Sequence, residues 1–167
     1  NERDPRCITL MRNNSLAYHR TGQRQQNAEQ ITRSYQIAYT ELGERHYTTT
    51  ITRDIYYHLL MDQERYEEII PLVKTFIAIE RSMNNDEFKI LEWEIMLYAM
   101  YKVTEQQEQQ EPTLLRMLEL TEKLIGADSD DFQRVAITLA ETYCAQEKLH
   151  DFFTFARQHK LDMRCSR

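Results

Sequence analysis

Apolar and polar positions alternate along this chain with a helical period rather than a strand period. Ala28, Ile31, Tyr35, Ala38 and Leu42 stand three and four residues apart, which makes one buried stripe on a helix closed by Gly43. Before it, Asp4-Pro5 pairs an N-cap acceptor with proline at the first helical position, so a helix is expected from there to Thr21, with Gly22 as its stop. A third helix is expected over about 45–61 with Ile51, Ile55 and Leu59 on one side. A fourth covers about 64–81 with Tyr66, Ile69, Ile70, Val73, Phe76 and Ile77 inward, beginning near Tyr66 or bending at Pro71.

Asn84-Asn85-Asp86 caps a fifth helix running to about Val103, with Phe88, Leu91, Ile95, Met96, Ala99 and Val103 expected inward. The polar run from Glu105 to Glu111 has nothing to bury and reads as a frayed end or loop. Pro112 restarts a helix with Leu114, Leu115, Leu118, Leu124 and Ile125, which stops at Gly126. Asp128-Ser129 caps a seventh, with Phe132, Val135, Ala136, Leu139 and Tyr143 inward, and the eighth, over about 148–160, is expected to bury Leu149, Phe152, Phe153 and Ala156. Each amphipathic helix is joined to the next by a short connection, which gives antiparallel hairpins over about 4–43, 44–82, 84–126 and 128–160 in one domain, 1–167. No hairpin can bury both faces alone, so neighbours must stack at a degenerate period of about 35 to 48 residues.

Leu139-Ala140, Tyr143, Glu147-Lys148-Leu149, Phe152 and Ala156 together resemble the tetratricopeptide repeat (TPR). In that family a large, a small and an aromatic residue on one helix are followed by a turn and a small or apolar ladder on the next. Arg65 to Leu72 looks like the second helix of such a repeat, and Trp93, Met96, Leu97 and Met100 like the first helix of another; Leu97 stands where the family has a small residue. Leu16-Ala17 with Ile31, Tyr35 and Ala38 suggests a further repeat with a longer turn. The resemblance implies a right-handed α-solenoid of about four hairpins. Arrays of this kind are also similar to the C-terminal sensor domains of some bacterial transcriptional regulators, peptide-pheromone receptors among them, where the array binds an effector and controls an attached output domain. No output domain and no helix-turn-helix reader is evident here.

Composition agrees with an all-α domain: 3 Gly and 3 Pro in 167 residues leave too few turn formers for a β or α/β fold. A net charge of −6 argues against a nucleic-acid footprint. No apolar run is long enough for a membrane span. Cys7, Cys144 and Cys165 are odd in number and widely spaced, so no disulfide framework is expected, a reducing cytoplasmic setting is the default, Cys144 reads as a core thiol and Cys165 as exposed. A chain opening on Asn1 rather than Met is expected of a fragment or a processed product.

In the family it resembles, the first helix of each pair lines the concave surface. One outward position then holds Tyr18, Tyr57 and Tyr98, with Glu141 in the last repeat. One turn earlier stand Asn14, Arg53, Glu94 and Ile137. Tyrosine offers rigid area with a hydroxyl, and asparagine pairs with both polar groups of an extended backbone, so Asn14, Tyr18, Arg53, Tyr57, Glu94 and Tyr98 are the candidate contacts for a peptide or protein segment. Tyrosine at helical spacing also serves as core, and a one-residue shift in the third helix would replace Tyr57 by His58. His19, His46, His58, His150 and His159 lack metal-ligand spacing, Cys144 with His150 has no oxyanion site beside it, and Glu67-Glu68 and Asp130-Asp131 suit first helical turns. No metal, cofactor or catalytic function is expected. The reading is a non-enzymatic peptide- or protein-binding module. Its alternatives are a regulator's sensor domain and a homodimerisation domain using Phe152, Phe153 or Phe155.

Overall fold

The structure, a computed structural model, describes residues 6, 8–10, 13, 24–83 and 85–165. Seven helices have bounds among them: α1 (Arg24–Leu42), α2 (Tyr47–Asp62), α3 (Tyr66–Met83), α4 (Glu87–Val103), α5 (Gln107–Leu124), α6 (Asp130–Ala145) and α7 (Leu149–Gln158). Arg6, Ile8–Leu10 and Asn13 are also helical; the remainder of the first expected helix, with Cys7 and Gly22, lies outside the described residues. The molecule divides into two units, 1–72 and 73–167, with the boundary inside α3.

The turns reveal the repeat. After α2, α4 and α6 the chain enters the left-handed region at Glu64 (φ 56°), Glu105 (φ 55°) and Glu147 (φ 58°), roughly 40 residues apart each time. In each case the following N–H reaches back to close the helix: Arg65 to Leu60 O (3.0 Å), Gln106 to Tyr101 O (2.9 Å) and Lys148 to Tyr143 O (2.9 Å). Between hairpins the helices start on side-chain caps. His46 Nδ1, Asp86 and Ser129 accept from Thr48, Lys89 and Phe132 N–H groups.

In the first unit α1 packs on α2. Ala38 and Thr49 are fully buried at the crossing, and the Thr49 hydroxyl donates to Ala38 O at 3.0 Å. The α1 stripe read from spacing is present, with Ile31 and Ala38 buried and Ala28, Tyr35 and Leu42 half-buried. In α2 the stripe is rotated: Ile51, Ile55 and Leu59 are only half-buried, and the buried face is Thr49, Thr52, Arg53, Tyr57 and Leu60. Thr52 escapes the cost of burial by donating to Thr48 O, within its own helix.

In the second unit α4 packs on α5, α5 on α6 and α6 on α7. Leu91, Leu114, Met117, Phe132, Leu139, Tyr143 and Phe152 share one core, and Trp93 stacks on Phe76 at 4.6 Å. Several expected inward residues face out instead: Phe88, Ile95 and Val103 on α4, Leu115 on α5, Ile125 after it, and Leu149 and Phe153 on α7. The cause on α4 is an excess of apolar residues. Both sides are hydrophobic, and Ile90, Leu91, Leu97, Met100 and Tyr101 take the buried one. The polar run expected as a frayed end or loop is mostly regular helix: α5 begins at Gln107 and passes through Pro112, whose face is exposed, as is that of Pro71 in α3. Each proline stands the same distance after its left-handed Glu, so the two mark one repeat position. Among the described residues no helix is long and apolar enough to cross a membrane.

Candidate functional site

Aligning repeats on the left-handed glutamates corrects the register read from sequence. The column of Arg53 and Glu94 continues in Ala136, not Ile137, and the column of Tyr57 and Tyr98 in Ala140, not Glu141. Ala136 and Ala140 are fully buried. The column is therefore a packing position that in two repeats holds large polar residues.

Of the six candidate contacts, Asn14 and Tyr18 lie outside the described residues. Arg53 and Tyr57 are buried in the first unit, so neither offers an open surface there. Arg53 Nη1 donates to Glu44 O at 3.5 Å. Burial lowers its pKa, opposed by Tyr35, Asp54 and Glu44. Burial pushes the Tyr57 hydroxyl up, and His58, one residue on, is the exposed neighbour.

Glu94 is buried in the second unit between two arginines. Its Oε1 accepts from Arg116 Nε at 2.9 Å and Arg81 Nη2 at 3.3 Å, and Arg116 Nη2 also donates to Thr113 Oγ1 at 3.1 Å. Its Oε2 is buried without a hydrogen-bond partner among the described residues. A shallow recess of about 240 Å³ lies here, rimmed by Lys74, Arg81 and Arg116. Glu94 thus organises the cations around this recess, whose floor it lines.

Tyr98 lines an open groove. This groove, about 380 Å³, runs between α4 and α6 over the start of α5. Tyr98 and Lys102 come from α4, Gln110 from α5, Thr138 and Glu141 from α6, and Gln146 follows α6. Lys102 Nζ sits 6.0 Å from the Tyr98 ring, and Gln146 Nε2 donates to Gln107 O at 3.0 Å, fixing the groove's end. Burial raises the Tyr98 pKa, a hydrogen bond with Thr142 opposes the rise, and Glu141 adds to it. Ile95 and Ile137 are exposed at equivalent positions of α4 and α6. The groove combines apolar area, amide donors and acceptors, and one charge of each sign, which suits an extended backbone with mixed side chains.

Sequence reading missed Lys102, Gln110 and Gln146. The left-handed Glu positions are the signal that would have placed them, since they set where each helix pair turns. It also missed the disulfide: Cys144 is bonded to Cys165 with Cα atoms 5.6 Å apart, so neither is a free thiol and Cys144 is no nucleophile. His159 packs on Phe155 at 4.3 Å, and the described residues contain no group of His, Cys, Asp and Glu that could hold a metal ion.

No protein-family model and no curated protein matches this sequence. Solved structures do. A kinesin light chain-like protein with nearly identical TPR-like repeats from Podosopora anserina is 16% identical, with a TM-score of 0.56 over 96% of this chain and 79% of that one. BtubC from P. vanneervenii is 14% identical, with a TM-score of 0.58 over 94% of this chain but 63% of its own length. The described residues therefore carry the all-α fold of TPR-like helical-repeat proteins.

Proposed function

We propose that this chain is a non-enzymatic protein-binding module that holds an extended peptide or protein segment in the groove between α4 and α6. The observation that carries this reading is the groove itself: Tyr98, Lys102, Gln110, Thr138 and Glu141 line one open channel, with Ile95 and Ile137 exposed on the same two helices. Lys102 and Glu141 set the charge preference of the segment, and the glutamine amides pair with its backbone. A displayed library of random peptides panned against the chain tests this. Selected peptides should shift the Tyr98, Thr138 and Glu141 amide resonances and lose at least about tenfold in affinity on Lys102→Glu. Binders that map elsewhere, or that ignore Lys102→Glu and Tyr98→Ala, would overturn it.

The exposed ring of Phe153 and the exposed Leu149 on α7 favour a second reading, self-association through the last hairpin. Light scattering of the chain and of Phe153→Asp separates the two. The regulator-sensor reading adds an output domain to the same groove and is tested by whether the gene encodes a DNA-binding segment together with these residues. A cytoplasmic setting has to accommodate the Cys144–Cys165 bond, which persists best where conditions are oxidising.

A further inference from the structure

Glu94 occupies a position that packing does not require to be charged, since its equivalent in α6 is the fully buried Ala136. A carboxylate there has to be desolvated, and its Oε2 finds no hydrogen-bond partner among the described residues. What Glu94 achieves is to hold two arginines from different helices. Its Oε1 accepts from Arg81 of α3 and from Arg116 of α5, and Arg116 is fixed a second time by its 3.1 Å bond to Thr113. These bonds use Nη2 of Arg81 and Nε and Nη2 of Arg116, which leaves Nη1 of each guanidinium uncommitted among the described residues. Lys74, exposed about two turns before Arg81 on α3, brings a third cation to the same recess of about 240 Å³. The rest of its wall is apolar, made by Ile77, Ala78 and Leu97.

We propose that this recess binds a phosphate monoester, carried by a small molecule or by a modified side chain, with the phosphate on Lys74, Arg81 and Arg116 and its carbon stem against Ile77 and Ala78. Three cations against one carboxylate leave two positive charges, which a phosphate dianion matches and a single carboxylate does not. Guanidinium groups already held by a buried acid lose little further freedom when an anion arrives, so the site is preorganised. The volume is below the roughly 300–1,000 Å³ of pockets for drug-sized ligands, and it suits one headgroup or one side chain. A long polyanion is disfavoured, because the chain as a whole carries −6. The recess shares no lining residue with the Tyr98 groove, and the proposal goes beyond the binding function argued above.

The test titrates the full chain at constant ionic strength and about pH 7.5, where the ester is a dianion. Its probes are ethyl phosphate, a blocked tripeptide with phosphoserine between two glycines, and the same tripeptide with glutamate in place of phosphoserine. The phosphopeptide should shift the Ala78 amide and the Arg81 and Arg116 Nε–H resonances saturably, and bind at least about tenfold more tightly than the glutamate peptide. Lys74→Glu, a change at an exposed position that leaves the Glu94 bonds in place, should weaken phosphopeptide binding at least about tenfold with helix content unchanged. Tighter binding of the phosphopeptide than of ethyl phosphate assigns the site to a modified side chain of a partner, and equal binding assigns it to a small phosphate ester. No saturable shift at these groups, equal binding of the phosphoserine and glutamate peptides, or unchanged affinity in Lys74→Glu would each overturn it. Tyr98→Ala should leave phosphate binding unchanged, and unphosphorylated peptides selected for the groove should bind Lys74→Glu as they bind the parent, so the two readings fail separately.

Discussion

Removing either partner of the Glu94 ion pair should have unequal consequences, because the partners are unequally buried. The Glu94 side chain is 2% exposed, whereas Arg116 is 38% and Arg81 50% exposed. Arg116→Met deletes the 2.9 Å charge-assisted bond and leaves a buried carboxylate with one long contact at 3.3 Å and a second oxygen already unpartnered. Losing one partner of a fully buried pair costs about 3–5 kcal/mol. The solvent reaching Arg116 and the surviving Arg81 bring the expected cost here to about 2–3 kcal/mol. Glu94→Leu instead removes the buried charge, fills the site with an apolar side chain, and leaves two arginines that can turn to water. It should fall within about 1 kcal/mol of the parent. The double variant should resemble Glu94→Leu, giving a coupling of about 2 kcal/mol. Trp93 is the single tryptophan and sits beside Glu94, so urea titration followed by its fluorescence reports the second unit. In a melt, the Arg116→Met cost corresponds to about 4–12 °C at roughly 2–4 °C per kcal/mol for a chain of this size. Glu94→Leu proving the more damaging change would refute the reasoning.

Other expectations follow from single positions. Ala140→Leu should destabilise by about 1–3 kcal/mol in chemical denaturation, because Ala140 is fully buried in the shared core and three further carbons must displace its neighbours. Glu105→Gly should raise the melting temperature, gaining about 1 kcal/mol, since φ 55° costs a glutamate what it does not cost glycine; a lower melting temperature would show the turn to depend on that side chain. Tyr57 and Tyr98 hydroxyls are pushed above their ordinary 10.0 by burial. Their neutral forms therefore contribute stability that is complete below pH 10 and is lost as pH rises through the folded values, so tyrosinate absorbance should rise together with loss of helix by circular dichroism.

Much of the fold was legible because caps and stops are local. Asp86, Ser129, Gly43 and Gly126 each ended or began a helix where the sequence indicated. Inward faces were less legible wherever apolar residues outnumber the space available. Phe88, Ile95 and Val103 fit a helical stripe as well as Ile90, Leu97 and Tyr101 do, and only the neighbouring helices decide between them. In α2 the reverse applies. Thr49 and Thr52 are buried because their hydroxyls are satisfied by backbone carbonyls, which no hydrophobic pattern registers. The Gln-rich run has no apolar signal, yet it folds as the first turns of α5, whose packing begins later, at Thr113 and Leu114.

The candidate site shows why a polar column misled. Arg53 and Glu94 look like ligand contacts because buried charges are rare, but the position is alanine in the last hairpin, and a position that accepts alanine at full burial is one where helices meet. A large polar residue survives there only by carrying its own partners, as Glu94 does with Arg81 and Arg116. Binding chemistry should therefore lie one residue further round each first helix, at Ile95 and Ile137, and at the groove positions Lys102 and Glu141. If Lys102→Glu and Ile137→Asp leave peptide binding intact while Arg81→Ala, which touches only the Glu94 cluster, reduces it, the column and not the groove is the binding surface.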